Sequence, residues 1–327
     1  MRTNSDQSMW FDPGVVQAVG EAIPTWLAVV IVLLSYLGSV YLIAPAMIAA
    51  YWRARELVAP WLGAIVGCYA LMSITKSIHS VSRPAVDPPV GPDAFPAVLV
   101  PAYEHAALIS TSSFPSGHAL AATIVAGVIV YDLPVGTRTR RAVVGAAFVG
   151  WVGFTRIALG VHYPGDVVGG VAYGLAFLAL YVGVRRWTET RAGDASFVAD
   201  PTDRVRLRLD APTGSFALGL VFAIGALAVS GSRNAHIVFG AAVGGLVAWT
   251  FAPTIAARIR ETAAERVIPV VAVGVVLVTW FVAELGIGNN VFIVAWSALF
   301  LAMVVLVPWV SGGLRTRSVA RTPQPSD

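Results

Sequence analysis

Lysine is nearly missing from this chain: among 327 residues Lys76 is the only one, and the other 21 of the 22 basic residues are arginine. A coding bias is the plain account of the arginines, and it makes the exception informative. Charge of either sign is scarce too. Asp, Glu, Lys and Arg together make up 12% of the chain, against about 25% in a soluble domain, which excludes an ordinary soluble protein. Cysteine is reduced to Cys68, so no internal disulfide can form and the redox compartment is not legible. Inside an apolar run, that thiol reads as a small core residue. The opening string MRTNSDQSMWFDPG lacks the basic-then-apolar layout of a cleavable leader, so the first span is expected to direct insertion itself.

What is plentiful is apolar: 57% of the residues are hydrophobic and the mean hydropathy is +0.75. A helix needs about 20 mostly apolar residues to cross a bilayer core. Nine segments qualify: 24–50, 58–76, 116–133, 142–161, 164–184, 213–231, 235–255, 267–284 and 289–310. The runs are too long and too uniformly apolar for barrel strands, and unpaired backbone groups are not tolerated in lipid. The pattern therefore predicts an all-α polytopic membrane protein with about nine transmembrane helices.

The arginines orient it. Seventeen of the 22 basic residues follow the first, third, fifth, seventh and ninth spans, beginning with Arg53 and Arg55 and ending with Arg321. The positive-inside rule makes that side cytoplasmic, with the N-terminus outside and the C-terminus inside the cell membrane. Five remain outside: Arg2, Lys76, Arg83, Arg156 and Arg233. The polar stretch 185–212 reads as a cytoplasmic linker. It divides a five-span half, 24–184, from a four-span half, 213–310. Segment 1–23 is expected to be extracytoplasmic or interfacial and 311–327 to be a cytoplasmic tail. Gly170-x3-Gly174 and Gly240-x3-Gly244 are small-residue spacings of the kind that let helices approach closely.

Three polar strings sit at outer membrane edges of the first half: Lys76-x6-Arg83-Pro84, Pro115-Ser116-Gly117-His118, and Thr155-Arg156-x5-His162-x3-Asp166. The second opens a helix, whose free N–H groups and positive dipole end suit an anion. Gly117 permits close backbone approach and Ser116 adds a hydroxyl. Read alone, it is also an ordinary helix start carrying an interfacial histidine. Arg156 inside an apolar span is costly unless paired, which marks it as functional. His162 and Asp166 can meet, and a carboxylate on one ring nitrogen leaves the other free as a nucleophile. Read alone, the string also serves as a polar hairpin loop. Lys76 and Arg83 suit a phosphate as point charge and bidentate fork, or snorkel to headgroups. Together the three strings look like a site for a phosphate ester.

Ten fixed positions in these strings match in order, and the set resembles the three-part signature of the type 2 phosphatidic acid phosphatase superfamily: membrane lipid phosphate phosphatases sharing their site with vanadium-dependent haloperoxidases. The resemblance covers about residues 24–184. Thr155 stands where that family usually has serine, and the family commonly has six spans where this half has five. The four further spans have no family counterpart. The resemblance implies that His162 attacks phosphorus to form a phosphohistidine, that Asp166 orients it, and that His118 protonates the leaving alkoxide. Lys76, Arg83, Arg156 and the Ser116 and Gly117 donors would hold the phosphate oxygens.

No acidic cluster in the outer loops suits a two-metal site, so neither metal nor cofactor is expected. The expected partners are membrane lipids and a lipid phosphate or polyprenyl pyrophosphate substrate, not nucleic acid; the oligomeric state is not legible. Two other readings fit the same residues. One is a phosphotransferase passing the phosphoryl or headgroup to another lipid. The other is a transport or binding module that holds phosphate without turnover, although the last four spans lack intramembrane charges and Glu284 lies at an outer edge. Segment 85–114 is apolar enough either to guide a lipid tail or to cap the bundle. His79 and His105 read as bystanders, and His236 has no evident partner.

Overall fold

A computed structural model describes residues 9–194, 209–260, 274, 278 and 289–310. Among the described residues every regular element is a helix. We number them α1 Pro13–Glu21, α2 Thr25–Ser35, α3 Val40–Arg53, α4 Arg55–Ile78, α5 Val100–Ala107, α6 Gly117–Asp132, α7 Arg138–Ala158, α8 Pro164–Asp194, α9 Ala211–Ser230, α10 Arg233–Arg260 and α11 Asn290–Val310. Six are long and apolar enough to cross a membrane, and a seventh crossing arises if the pair α1 and α2, bent by 117°, counts as one. The α6 helix is apolar but shorter than these. The expected span 267–284 lies outside the described residues apart from two isolated positions.

Two expectations need correction. The first span, expected to run unbroken over 24–50, is broken by a 3-10 turn at Tyr36–Gly38, followed by Ser39 capping α3 through Tyr41 N. Tight packing fixes the break: a β-carbon on Gly38 would lie 2.6 Å from Val152 Cγ1 and 3.1 Å from His118 Cβ. The fifth helix, expected to end at 184, continues to Asp194. Arg185 pairs with Glu189 one turn on, at 3.1 Å, so the helix persists after the apolar stretch ends.

Helix α4 forms the centre of the bundle. Its apolar stretch is 72% buried inside the protein, against 22% for α8. The main core joins Trp61, Leu62 and Cys68 of α4 to Leu120 and Ile124 of α6, Phe177 and Tyr181 of α8, Phe216 of α9 and Trp249 of α10. Helix α9 lies directly on α4: a β-carbon on Gly63 would meet Phe216 N and Ser215 C at 2.6 Å, and Ser215 Oγ donates to Pro60 O at 2.5 Å. Gly170 and Gly174 seat α8 against α6, where added β-carbons would meet Ala119 Cβ at 3.1 Å and Thr123 Cβ at 2.8 Å. Gly240 likewise faces Ser297 of α11.

The far end of this bundle is latched by Asp132. Its carboxylate accepts from Trp61 Nε1 at 2.6 Å, Tyr181 OH at 3.2 Å and Arg185 Nη1 at 3.0 Å. Segment 85–114 is a packed cap. Val90, Phe95, Tyr103, Ala106 and Ala107 form a second core with Ala28, Ile31 and Val32 of α2 and Ala158, Leu159 and Val161.

Candidate active site

The end of α4 with the loop after it, the start of α6, the end of α7 and the start of α8 converge, and together they carry every polar string. Ser116 caps α6, accepting from Ala119 N at 3.4 Å while its own N–H donates to Asp166 O at 2.9 Å. The Phe114–Pro115 peptide before it is cis. Gly160, with φ +72°, ends α7 in the left-handed region and turns the chain toward His162. Pro164 then opens α8, where its missing N–H costs nothing.

His162 and Asp166 meet as expected. Nδ1 lies 3.2 Å from Asp166 Oδ2, with side chains 2% and 0% exposed. The same oxygen accepts Tyr163 N at 2.8 Å and the Ser113 hydroxyl. With Nδ1 donating to the carboxylate, Nε2 carries the lone pair. Arg83 Nη1 lies 3.3 Å from Nε2 and also donates to Val161 O at 2.6 Å. Burial, then Arg83, Arg156 and Lys76, hold the His162 imidazole well below its ordinary value of 6.5. It is therefore neutral at pH 7. His118 lies within electrostatic range of His162, Arg156, Lys76 and His105.

The three cations are not equivalent. Arg83 is engaged by the protein: Nε donates to Thr111 O at 2.8 Å, and Nη2 to Thr111 Oγ1 at 3.2 Å and Ser112 O at 3.3 Å. Burial pushes its guanidinium down to about 10, so it stays charged at neutral pH. Lys76 Nζ donates to Ser112 O at 2.6 Å. Arg156 is fully buried and spends one nitrogen, Nη2, on Ala106 O at 2.9 Å. Its Nε and Nη1 have no partner, and neither does Asp166 Oδ1. Unmet donors on a buried cation are expensive, and an anion would satisfy them.

Three residues escaped the sequence reading: Thr111, Ser112 and Ser113. They precede Pro115, and the pull of two cations on Ser112 O is visible only in three dimensions. A signal was present in the hydroxyl run Ser110–Ser113. With Ser80 and Ser82, Ser110, Thr111 and Ser112 line an open pocket beside Arg83. The rings of the other three histidines have partners of their own, and the His79 carbonyl joins the network by accepting from Ser112 Oγ at 2.5 Å. His79 Nε2 lies 3.0 Å from Tyr173 OH, His105 stacks edge-on against Tyr41, and His236 bonds Ser232 O at 2.8 Å.

The PAP2 superfamily model matches residues 57–190, which include all three strings. The chain is 30% identical over 172 residues to the lipid A 1-phosphatase of Rhizobium etli, spanning 68% of that protein. The chain belongs to the PAP2 superfamily. Another PAP2 relative, phosphatidylglycerophosphatase B of Bacillus subtilis, is 38% identical over 80 residues, 39% of its length. Among solved structures, a transmembrane PAP2-type phosphatidylglycerolphosphate phosphatase from Bacillus subtilis aligns with TM-score 0.43 and 24% identity. That alignment covers 57% of this chain and 89% of that one.

Proposed function

We propose that this protein is an integral membrane phosphatase that hydrolyses a lipid phosphate monoester or a polyprenyl pyrophosphate at the extracytoplasmic face. The observation that carries the reading is the pairing of a neutral, carboxylate-backed His162 with a buried Arg156 whose Nε and Nη1 are unmet. An arriving phosphate takes those donors together with Lys76, and draws Arg83 off Nε2. Nε2 attacks phosphorus as the bond to the leaving oxygen breaks, and His118 gives that oxygen its proton. Water, deprotonated by His118, then displaces Nε2 and releases inorganic phosphate. Phosphoryl transfer asks a protein mainly for positioning and charge stabilisation, and three fixed cations supply the charge without a metal.

The helix directions support that sidedness. Arg53, Arg55, Arg138, Arg140, Arg141, Arg185 and Arg186 all lie toward the end of the bundle opposite His162. By the positive-inside rule that bias supports an extracytoplasmic His162 end.

The test is phosphate release by purified protein in detergent with chelator present, offered phosphatidate, phosphatidylglycerol phosphate and a polyprenyl pyrophosphate. Turnover by wild type that disappears in His162→Ala supports the reading and ranks the substrates. Absence of release by folded wild type would sink it.

A further inference from the structure

We infer that Ser113 is a positioning residue of this site: its hydroxyl holds the Asp166 carboxylate in the orientation that keeps the His162 proton on Nδ1. The inference rests on the phosphatase reading of His162. Ser113 is completely buried. Its Oγ donates to Asp166 Oδ2 and lies 3.4 Å from His162 Nδ1. It therefore sits in the angle between the carboxylate and the imidazole, where it touches both and leaves Nε2 clear.

Three donors converge on Asp166 Oδ2: Ser113 Oγ, Tyr163 N and His162 Nδ1. The other oxygen, Oδ1, is buried and has none. A carboxylate with all its donors on one side cannot rotate out of that plane without losing every bond, and a rotated carboxylate would offer Nδ1 a different geometry. Tyr163 N is a backbone donor on the same turn as His162, so it moves with the histidine. Ser113 comes from outside that turn, and its own N–H is fixed to Val81 O at 2.8 Å. It ties the carboxylate to the loop carrying Arg83, whose guanidinium meets the other side of the imidazole at Nε2. The hydroxyl thus registers the histidine against the cations.

A purely packing role predicts something different. Replacing the hydroxyl by hydrogen leaves a small hole and one fewer bond, which affects stability alone. A positioning role changes the chemistry of His162. With one donor gone, the carboxylate turns more of its charge toward Nδ1–H and favours the imidazolium. The groups that set this balance are Asp166 and the Ser113 backbone, which every Ser113 variant keeps, on one side and Arg83, Arg156, Lys76 and His118 on the other. The acid limb of kcat/KM, expected in the wild type below the ordinary imidazole value, then moves to higher pH.

The experiment measures kcat, KM and the pH profile of kcat/KM for wild type, Ser113→Ala, Ser113→Thr and Ser113→Cys, with the thermal midpoint of each as a check on folding. Removing a partner that orients a metal-ligating imidazole costs about 10- to 100-fold, and the same scale is taken for the imidazole of His162. Expected are that fall in kcat for Ser113→Ala with KM unchanged, an acid limb displaced upward, and recovery of most of the rate and of the limb in Ser113→Thr. Equal kcat and an unmoved limb in a folded Ser113→Ala would overturn the inference, as would Thr performing no better than Ala. Should Ser113→Ala not fold, Ser113→Cys decides, since it keeps the volume with a poorer donor: wild-type kcat in Cys overturns the inference, and a fall with a displaced limb supports it. Wild type that does not turn over lipid phosphate defeats the function itself, an outcome distinct from wild-type turnover with an indifferent Ser113.

Discussion

Arg156 is fully buried with two of its three nitrogens unmet, and a residue in that state is not there for stability. Arg156→Met is expected to raise the thermal midpoint, because a buried unpaired charge gives way to an apolar side chain of similar reach. The same change should lower kcat by about 10²- to 10³-fold, the cost of removing one preorganised donor from a transition-state site. Arg156→Lys should not restore the rate, since an ammonium cannot present two parallel N–H groups. Thermal unfolding and phosphate release on the same samples check both halves; a lower midpoint in Arg156→Met would mean that Arg156 is structural. This residue was legible in sequence because a cation in an apolar span is conspicuous. Ser113 was not. Serine is common at helix approaches, and its partner Asp166 lies 53 positions away.

The helices were legible wherever a long apolar run ended in polar residues, as at α4, α9 and α11. They were not legible where the run continued through a break. Residues 36–40, Tyr-Leu-Gly-Ser-Val, are apolar enough to read as unbroken span, and the break follows from packing of Gly38 on Val152 and His118, contacts no local pattern encodes. Extension of α8 beyond 184 was hidden for the opposite reason: its last turns are polar and held by side-chain pairs. The seam between α4 and α9 makes a prediction at this scale. In Gly63→Val the new side chain meets backbone rather than a movable side chain. The helices must separate, at a cost of about 1–3 kcal/mol, read as a lower thermal midpoint. Gly150→Ala, where a β-carbon meets nothing within 4 Å, should stay within about 1 kcal/mol of wild type. Equal behaviour of the two variants would argue that the close α4–α9 approach does not exist.

The whole molecule is a bundle with a chemical end and an anchored end. At the anchored end Asp132, Trp61, Tyr181 and Arg185 tie α4, α6 and α8 together, and Arg55 lies 3.9 Å from the ring centroid of Trp309. Its orientation can be read directly, because Cys68 is buried and unreactive toward bulky probes. A membrane-impermeant maleimide applied to intact cells should label Ser82→Cys at the chemical end. It should label Val135→Cys, on the loop at the other end, only after permeabilisation; the reverse pattern would invert the topology. That the strings lie at one end was legible from charge alone, whereas the packing of the last spans on α4 was not, since those spans carry no distinctive residues.

One feature of the chemical end reaches beyond the catalytic step. The hydroxyl-lined pocket beside Arg83 is flanked in the chain by Ile78 and Leu108, each 60% exposed. On the phosphatase reading, an oily rim and a watery mouth stand side by side at one reacting phosphorus. The dephosphorylated lipid then leaves sideways into the bilayer while inorganic phosphate diffuses off into solution. Two products sorted into immiscible phases rarely meet again, so the reaction runs one way by partition as well as by bond energy.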